Sequence, residues 1–514
     1  MITSIVKRQS LTRLLEDWVA DDVALQECML SDISMDSRRV TAGCLFLALA
    51  KQATEREKHL HQALDKGSFA VLIDADQPLT PAEKALLEEE VVTAYPIRNL
   101  AQQAGYIAAR FYENPSEHMT VIAVTGTNGK TSVSQFIAQA LEASGQPCGV
   151  IGTMGAGRVS DLELTGMTTP DPVSMQRLLA GFEQEGCRYV ALEASSHALV
   201  QGRLNSVDVN VAVLTNLSRD HLDYHRTMAQ YAAAKQTLFE MSSVSQALLN
   251  IDDAFGLQVK QALRADIELL TYSSHVEADI AASQIECRRD GVAFELNIHQ
   301  RRQAVQLPVM GRFNVDNLLA TLGVMKLIGF DDEQACEALQ HCHAVSGRME
   351  AHGQADQPCV VIDYAHTPDA LEQALKTLRS HLPEDGELWC VFGCGGDRDK
   401  GKRPLMGQIA EAEADRVVIT DDNPRTENHQ AIVDDILAGC RQPEKVRVEL
   451  DRKAAIRYAL SQASTRDIVL VAGKGHEAYQ EIDHIKYPFS DTLIVTDVLG
   501  ELHSGGVYNV MGGH

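Results

Sequence analysis

Short apolar runs alternate with stretches of helical spacing along most of this chain. The runs Thr120–Thr125 and Val209–Leu214 have the length of strands, and each leads into a polar loop. Apolar runs of this length, bounded by turn residues, predict buried strands. Their alternation with helical segments is typical of parallel sheets with helices on their faces, so the pattern predicts an α/β fold.

Three successive regions carry this pattern. The first mixes short strands with helices, and a helical stretch after it ends at the turn signal Asn114-Pro115. The last contains four apolar strand candidates between Cys359 and Gly473. A chain of 514 residues is long enough for about three domains. We therefore predict a small N-terminal α/β domain at 1–98, a central parallel-sheet domain at 99–345 and a C-terminal Rossmann-like α/β domain at 346–514.

Composition narrows the classes of partner. The net charge of -25 argues against a nucleic-acid surface, although a few local cations can still hold an anionic small molecule. No apolar run reaches the roughly 18 residues of a membrane span, and the start lacks a signal-peptide pattern, which predicts a cytoplasmic protein without membrane insertion. The 11 cysteines are scattered without metal-binding spacing, as expected in a reducing compartment.

A Gly-rich segment follows the first of the two strand candidates. It places Gly126, Gly129, Lys130 and Thr131 at the start of a predicted helix. Successive N–H groups there can surround a phosphate, the lysine can neutralise the β/γ oxygens, and the threonine can ligate Mg²⁺. The commoner loop has glycine where this chain has Val124, and the chain has no NKxD element for GTP. The segment therefore predicts ATP binding.

This loop variant, TGTNGKTS, resembles the phosphate loop of the Mur ligases and of the related folylpolyglutamate synthetases. The resemblance implies an ATP-dependent amide ligase with a UDP-sugar-binding N-terminal domain, a central ATPase domain and a C-terminal amino-acid-binding domain. We also expect a monomer. The residues that it assigns to the nucleotide are Gly126, Thr127, Asn128, Gly129, Lys130, Thr131 and Ser132 in the loop, Asn317 at the adenine, Arg348 at the phosphates and Asp363 at the ribose.

Further motifs resemble the metal-binding elements of this family. Glu193 follows a strand candidate, His221 lies in the loop after the next one, and Lys235 lies in an apolar helical stretch. With Thr131, they are expected to serve two Mg²⁺ ions, and Lys130, Glu193, His221 and Lys235 are the expected catalytic residues. The resemblance implies that CO₂ converts Lys235 to a carbamate, since apolar neighbours favour the neutral amine that this reaction requires.

The family resemblance also assigns residues to the substrate UDP-N-acetylmuramoyl-L-alanyl-D-glutamate. Ser37, in the segment Met35-Asp36-Ser37-Arg38, is expected at the nucleotide end. Hydroxyl, amide and guanidinium groups suit the diphosphate and peptide oxygens. The residues matched to the muramoyl-dipeptide are Thr168, Thr169, Ser195, Gln201 and Arg203.

Three C-terminal loops bear on the second substrate, which the resemblance implies is meso-diaminopimelate. At its far end diaminopimelate carries a second carboxylate together with an ammonium, and lysine lacks that carboxylate. Arg425 can bind that carboxylate through two parallel hydrogen bonds, and Glu477 can face the ammonium. Lysine would leave Arg425 unpaired, at a cost of about 1–3 kcal/mol. The residues expected to bind the amino acid are Arg398, Asp422, Asn423, Pro424, Arg425, Gly473 and Glu477.

The expected chemistry activates the D-glutamate γ-carboxylate as an acyl phosphate, which the amine of diaminopimelate then attacks. Two other amide ligases remain open, one that adds L-lysine and one that resembles folylpolyglutamate synthetase. The former is expected to lack Arg425, and the latter has no need of the segment around Ser37. A catalytically idle nucleotide-binding scaffold is the alternative from another class, and measurable ATP turnover would exclude it.

Overall fold

The computed structural model describes residues 7–19, 24–50, 52–298 and 301–510, with side chains described up to residue 502. The chain divides into two compact units. The first comprises Met1–Ile280 and Asn317–His341, and the second comprises Ala281–Asp316 and Cys342–His514. The three predicted domain boundaries remain a prediction.

The first unit begins with a parallel sheet of four strands in the order β3-β4-β5-β6. The strand β4 is buried at every position, which explains its continuous apolar sequence. A capping box of Thr80 and Glu83 fixes the start of α3. The elements of this part are β1 Gln9–Ser10, α1 Leu11–Leu15, β2 Met29–Leu30, β3 Asp32–Ser34, β4 Cys44–Ala48, α2 Ala53–Asp65, β5 Ala70–Asp74, α3 Pro81–Glu89, β6 Thr93–Ile97 and α4 Leu100–Phe111, with a 3₁₀ turn at Ser37–Arg39.

A larger sheet completes the first unit. Within this unit its strands run in the order β10-β9-β8-β11-β7-β12-β13-β14, and all of these are parallel except β9 and β10. The elements are β7 Thr120–Thr125, α5 Lys130–Ala143, β8 Cys148–Gly152, β9 Gly155–Arg158, β10 Asp161–Glu163, α6 Pro172–Gln184, β11 Tyr189–Glu193, α7 Ser196–Val200, β12 Val209–Leu214, α8 Leu222–His225, α9 Met228–Glu240, β13 Gln246–Asn250, α10 Ala254–Ala262, β14 Glu268–Ser273, α11 Phe313–Leu327 and α12 Asp332–Leu339, with a 3₁₀ turn at Pro115–His118.

The place of β7 in this sheet positions the candidate site. In the sheet β7 lies between β11 and β12, although both of these strands come after it in the chain. Ligands bind at such switch points, beyond the carboxyl ends of parallel strands. Thr125, Glu193 and Leu214 end the three strands, so the segments that follow them meet at one edge.

The second unit carries a sheet in the order β18-β19-β23-β20-β21-β22, parallel except for β18. The elements are β15 Ile280–Arg288, β16 Gly291–Ile298, β17 Arg301–Leu307, β18 Glu350–His352, β19 Cys359–Asp363, α13 Pro368–Arg379, β20 Leu388–Phe392, α14 Lys402–Glu413, β21 Arg416–Ile419, α15 His429–Leu437, β22 Arg447–Val448, α16 Arg452–Gln462, β23 Ile468–Ala472, β24 Tyr479–Ile482, β25 Ile485–Pro488 and α17 Asp491–Val510, with a 3₁₀ turn at Pro443–Lys445.

Helices pack on these sheets through apolar faces. In α13, the buried residues Leu371, Ala374, Leu375 and Leu378 recur at helical spacing. The predicted α/β fold class is confirmed, and the four strand candidates of the last region form β19, β20, β21 and β23. Among the described helices, none combines the length and the apolar character needed to span a membrane.

Candidate functional site

The phosphate loop connects β7 to α5 and requires glycine at two positions. Gly126 has φ 149° and Gly129 has φ 86°. A Cβ atom on Gly126 would lie 1.8 Å from Thr215 Oγ1, and one on Gly129 would lie 2.5 Å from Asn317 Oδ1. These close approaches explain the spacing of the two glycines, and they bring Asn317, the residue expected at the adenine, to the loop.

The segment after β12 holds the backbone of the phosphate loop. Thr127 N donates to Asn216 O at 2.8 Å, and Asn128 N donates to Asn216 Oδ1 at 3.0 Å. Thr215 Oγ1 donates to Asn128 O at 2.6 Å. Sequence analysis did not assign these supporting residues, although their position after a predicted strand was a usable signal.

Lys130 and Lys235 approach the phosphate loop from two helices. Lys130 Nζ donates to Gly126 O at 2.9 Å and to Thr127 O at 2.8 Å, while Lys235 Nζ donates to Gly126 O at 2.7 Å. Burial, and then the positive charge of Lys130, lowers the pKa of Lys235 to about 7. Burial also lowers the pKa of Lys130, against the opposing charge of Glu193. A pKa near neutrality allows Lys235 to react as a neutral amine.

Glu193 is the buried carboxylate of this site and is 1% exposed. Its Oε1 accepts hydrogen bonds from Thr131 Oγ1 at 2.9 Å and from Thr153 N at 2.8 Å, and its Oε2 accepts one from Thr153 Oγ1 at 3.1 Å. Burial raises the pKa of Glu193, while these hydrogen bonds and Lys130 oppose the rise. A carboxylate and a hydroxyl are the oxygen ligands that suit Mg²⁺, which keeps several waters and so needs few protein ligands.

His221 is placed in the loop after β12, beside Tyr231 and two other histidines. Its ring centroid lies 5.0 Å from that of His197 and 6.1 Å from that of Tyr231. Its backbone is left-handed, with φ 52°, and its side chain is exposed beside Asp220. Among the described residues, no group of three or more His, Cys, Asp or Glu could hold a metal ion. The predicted metal role of His221 therefore remains a prediction.

The structure brings together the residues predicted for the muramoyl-dipeptide. Thr168 Oγ1 lies 3.0 Å from Thr153 Oγ1, and Thr169 Oγ1 lies 3.1 Å from Ser195 Oγ. The guanidinium of Arg203 donates to Thr169 O at 2.6 Å. It also donates to Gln201 Oε1 at 3.0 and 2.6 Å. Four of these residues, Thr169, Ser195, Gln201 and Arg203, therefore form one hydrogen-bonded group, and Thr168 joins it through Thr153 and Glu193. The substrate contacts of all five remain a prediction.

Ser37 is buried and donates to Gln62 Oε1 at 2.8 Å. Its predicted contact with the nucleotide end of the substrate remains a prediction. Nearby, a cleft of about 690 Å³ is lined by Asp36, Arg38, Arg39 and Arg177 among other residues. This cleft combines cations with carboxylates.

The predicted nucleotide residues of the second unit, Arg348 and Asp363, lie near Tyr364. The guanidinium carbon of Arg348 lies 5.1 Å from the Tyr364 ring centroid, and its buried Nε has no hydrogen-bond partner among the residues that the structure describes. Asp363 accepts hydrogen bonds from Met349 N and Ala365 N at 2.8 and 2.9 Å. Burial raises the pKa of Asp363, so its carboxylate depends on those donors.

The loop after β21 carries the residues predicted for the amino acid. Asn423 is 2% exposed, with Oδ1 accepting from Lys474 Nζ at 3.0 Å and Nδ2 donating to Glu477 Oε2 at 2.8 Å. Lys474 Nζ also lies 2.9 Å from Glu477 Oε2. Asn423 and Lys474 thus fix Glu477. Sequence analysis missed Lys474, which adjoins the predicted Gly473.

Two neighbouring residues explain the packing around this loop. A Cβ atom on Gly473 would lie 2.5 Å from Asp422 Oδ2, so glycine allows this approach. Burial raises the pKa of Asp422. Pro424 is buried, whereas Arg398 is exposed on its own loop. The predicted substrate role of Arg398 remains a prediction.

A phosphate loop at the switch point of a parallel sheet, with a buried carboxylate beside it, defines a nucleotide-binding α/β protein. Residues 124–325 match the Mur ligase middle domain, and residues 347–475 match the domain described as "Mur ligase, glutamate ligase domain". UDP-N-acetylmuramoyl-L-alanyl-D-glutamate--2,6-diaminopimelate ligases from Coxiella burnetii and Ectopseudomonas mendocina are each 43% identical to this chain. The alignments cover 90% of this chain and 94% of the first relative, and 92% of this chain and 95% of the second. The chain belongs to the Mur ligase family, whose members are ATP-dependent ligases.

Solved structures agree with this assignment. The structure of a UDP-N-acetylmuramoyl-L-alanyl-D-glutamate--2,6-diaminopimelate ligase has a TM-score of 0.73 and 37% identity, covering 96% of this chain and 99% of that one. A folylpolyglutamate synthase of Mycobacterium tuberculosis shares the fold, with a TM-score of 0.55 and 19% identity, covering 72% and 92% of the two chains. The expected family and three-part α/β architecture are confirmed.

Proposed function

We propose that this protein is the ligase that joins meso-diaminopimelate to the D-glutamate γ-carboxylate of UDP-N-acetylmuramoyl-L-alanyl-D-glutamate. The reaction belongs to the cytoplasmic synthesis of peptidoglycan precursors. The observation that carries the proposal is Arg425, held on the loop after β21 near Asn423, whose amide is bonded to Glu477. An arginine and a carboxylate that both contact Asn423 suit the opposite charges at the second amino-acid end of diaminopimelate. The relatives named above support the same substrate pair.

The first chemical step activates the carboxylate. An oxygen of the γ-carboxylate attacks the γ-phosphorus of ATP, the bond to the bridging oxygen breaks, and an acyl phosphate and ADP result. Lys130 supplies positive charge to the phosphate oxygens, and the N–H groups from Gly126 to Thr131 surround them. When bound, Mg²⁺ would be held by Thr131 and Glu193 and would neutralise charge on the phosphate oxygens.

The second step forms the amide. The neutral amine of diaminopimelate attacks the acyl carbon, phosphate leaves, and the amine loses a proton to the surrounding water. Thr168, Thr169, Ser195, Gln201 and Arg203 bind the muramoyl-dipeptide end and orient its carboxylate, which reduces the entropic cost of the reaction. Asn317, Arg348 and Asp363 contact the nucleotide, and Ser37 contacts the UDP end of the substrate.

Arg425 and Glu477 select the amino acid. Arg425 binds the far carboxylate, and Glu477 binds the far ammonium. Asp422, Pro424 and Gly473 shape this pocket, and Arg398 adds a further cation at its rim. Lysine lacks the far carboxylate and would leave Arg425 without that partner, which penalises it relative to diaminopimelate.

Lys235 is the proposed carbamate. The ammonium first loses one proton, the neutral amine then attacks CO₂, a nitrogen–carbon bond forms, and a second proton is released. An anion thereby replaces the cation beside Gly126. The lowered pKa of about 7 and the burial of Lys235 support this reaction. The carbamate and His221 would complete the oxygen and nitrogen ligands of a second Mg²⁺. Labelled ¹³CO₂ should give a carbamate NMR signal that the Lys235→Met variant lacks, and a spectrum identical in both proteins would refute the carbamate.

Phosphate release tests the ligase function. Purified protein receives ATP, Mg²⁺ and UDP-N-acetylmuramoyl-L-alanyl-D-glutamate, with meso-diaminopimelate or L-lysine at equal concentration. We expect release with diaminopimelate and the mass of the tripeptide product. Arg425→Leu should lose that preference, whereas Arg416→Leu, which removes an exposed arginine of β21, should keep it. A preference for lysine would refute the substrate assignment, and no amino-acid-dependent release would favour the idle scaffold.

A further inference from the structure

The β24–β25 hairpin is bonded to the loop that carries Arg425. Arg425 N donates to Glu481 O at 3.0 Å, and Asp483 N donates to Arg425 O at 2.9 Å. Glu481 N donates to Asn423 Oδ1 at 2.9 Å, and Gln480 Nε2 donates to Asp422 O at 2.9 Å. These four hydrogen bonds fix the loop and hairpin to each other at every residue from 422 to 425 except Pro424.

The side chain of Glu481 also contacts the guanidinium of Arg425. Arg425 Nε lies 3.1 Å from Glu481 Oε2, and Arg425 Nη1 donates to Gly396 O at 2.8 Å. In the part of the chain that the structure describes, Nη2 donates to no group. Nη1 also donates to Asn423 O at the long distance of 3.5 Å, so both of its N–H groups have acceptors. The guanidinium is therefore occupied at Nε and Nη1, and its terminal edge keeps the N–H groups of Nη2 for a carboxylate.

The approach of the neighbouring loop restricts the guanidinium further. A Cβ atom on Gly395 would lie 2.9 Å from Arg425 Nη1, and one on Gly396 would lie 1.9 Å from Pro424 O. Arg425 itself is in the left-handed region, with φ 51°. The guanidinium is thus held from one side by Gly396 O and from another by Glu481.

We propose that Glu481 is a positioning residue that determines amino-acid specificity. By holding Arg425 Nε, its carboxylate presents the terminal edge of the guanidinium to the far carboxylate of the acceptor amino acid. This inference rests on the proposed function, because it requires an amino acid with a second carboxylate. Glu481 itself makes no contact with that carboxylate.

A competing role for Glu481 would be to occupy Arg425 until the substrate displaces it. The backbone of Glu481 opposes this role, because its N–H and C=O are both bonded to the Arg425 loop. Glu481 also pairs with Lys486 across the two strands of the hairpin. The carboxylate of Glu481 therefore acts from a fixed backbone, and Nη2 of Arg425 remains open to a substrate carboxylate without displacement of Glu481. This geometry favours positioning over competition.

The test compares Glu481→Leu, which removes the acceptor for Arg425 Nε, with Glu481→Gln, which keeps an oxygen and removes the charge. Glu387→Leu is the matched control, since it removes the partner of the exposed Arg416 in the same unit. Apparent KM and kcat are measured for diaminopimelate, lysine, ATP and the UDP substrate, and thermal melting checks that each variant folds.

We expect Glu481→Leu to raise the KM for diaminopimelate about tenfold and Glu481→Gln about threefold, consistent with loss or weakening of one charged hydrogen bond. The kcat and the KM values for ATP and the UDP substrate should stay within about twofold, as should every parameter of the control. The preference for diaminopimelate over lysine should fall by the same factor as the KM rises.

Three outcomes would overturn the positioning role. An unchanged KM for diaminopimelate in both Glu481 variants would mean that Arg425 binds the substrate without help from Glu481. A lower KM would indicate competition, and equal losses with all substrates would indicate a structural role alone. These outcomes differ from failure of the proposed function, in which the wild-type protein itself gives no diaminopimelate-dependent phosphate release. If Glu481→Leu fails to fold, the nearly isosteric Glu481→Gln decides through the same parameters.

Discussion

Lys130 and Lys235 share one acceptor, because the Nζ atoms of both donate to the carbonyl oxygen of Gly126, at 2.9 and 2.7 Å. Two ammonium groups so close to each other disfavour double protonation. Lys235 is 1% exposed, and its pKa falls to about 7, first through burial and then through the charge of Lys130. The arrangement makes Lys235 the group that releases its proton near neutral pH.

This shift predicts a pH-dependent effect on stability. In the unfolded chain Lys235 regains the ordinary lysine pKa of 10.5, so between about pH 7 and 10.5 the unfolded state binds more protons at this residue and native stability rises with pH. Lys235→Met removes this dependence. Relative to wild type, the variant should therefore be more stable at pH 6.5 than at pH 9. Urea unfolding in CO₂-free buffer checks this, with the exposed Lys58→Met as control. A difference that does not change with pH would contradict it.

We predict that Thr153 supports Mg²⁺ binding by holding Glu193. Its hydroxyl donates to Glu193 Oε2, and its N–H donates to Oε1. Thr153→Val keeps the shape and the N–H but removes the hydroxyl, so Glu193 loses one of three donors. We expect the Mg²⁺ concentration for half-maximal phosphate release to rise about threefold to tenfold, since a hydrogen bond to a charged group is lost. Thr153→Ser, which keeps the hydroxyl, should resemble wild type. Equal Mg²⁺ dependence in both variants would exclude this role.

We predict that the ion pair of Arg177 and Asp32 stabilises the folded state of the first unit. Arg177 Nη2 lies 2.8 and 2.9 Å from the two oxygens of Asp32 and donates to Ile33 O, while Nε donates to Tyr112 OH. The pair is largely buried, with side chains 17% and 25% exposed. Arg177→Met should lower the free energy of unfolding by about 2–3 kcal/mol, somewhat less than the loss for a fully buried pair. Arg416→Met, at an exposed pair, should lose less than about 1 kcal/mol. Urea denaturation measures both, and equal losses would refute the argument.

Local sequence patterns predicted the strands and the phosphate loop, whereas contacts between distant segments were not predictable. The run Val209–Leu214 forms β12 with the same bounds, because its apolar residues end at polar ones on both sides. Thr153 carries no local signal, since it reaches Glu193 only because β8 pairs with β11. The Arg177–Asp32 contact joins residues 145 positions apart. Such contacts depend on the order of strands in a sheet, which periodicity does not specify.

The amino-acid site shows the same division. The segment Asp422-Asn423-Pro424-Arg425 indicated Arg425, but the partner Glu481 lies 56 residues further on, in a hairpin whose strands have no distinctive pattern. Glu477 was expected to face a ligand, whereas the structure also bonds it to Lys474 and Asn423. A buried lysine that fixes a carboxylate looks, in sequence alone, like an ordinary surface lysine.

We predict that a side chain at Gly126 clashes with Thr215, and that a second substitution, at Thr215, relieves the clash in part. A Cβ atom at this position would lie 1.8 Å from Thr215 Oγ1, so Gly126→Ala must displace either the phosphate loop or Thr215. A displacement of this size near a reacting phosphate should lower ATP turnover about 100-fold. Measurement of phosphate release by Gly126→Ala tests this directly.

Thr215→Ala removes the clashing oxygen, so ATP turnover by the double variant should be about tenfold higher than by Gly126→Ala. Recovery should be incomplete because the φ of 149° disfavours alanine and because Asn216 N and O would still lie 3.1 Å from the new Cβ. Thr215→Ala alone loses the hydrogen bond to Asn128 O and serves as the control for that loss. A double variant no more active than Gly126→Ala would mean that backbone conformation, and not the Thr215 contact, requires glycine here.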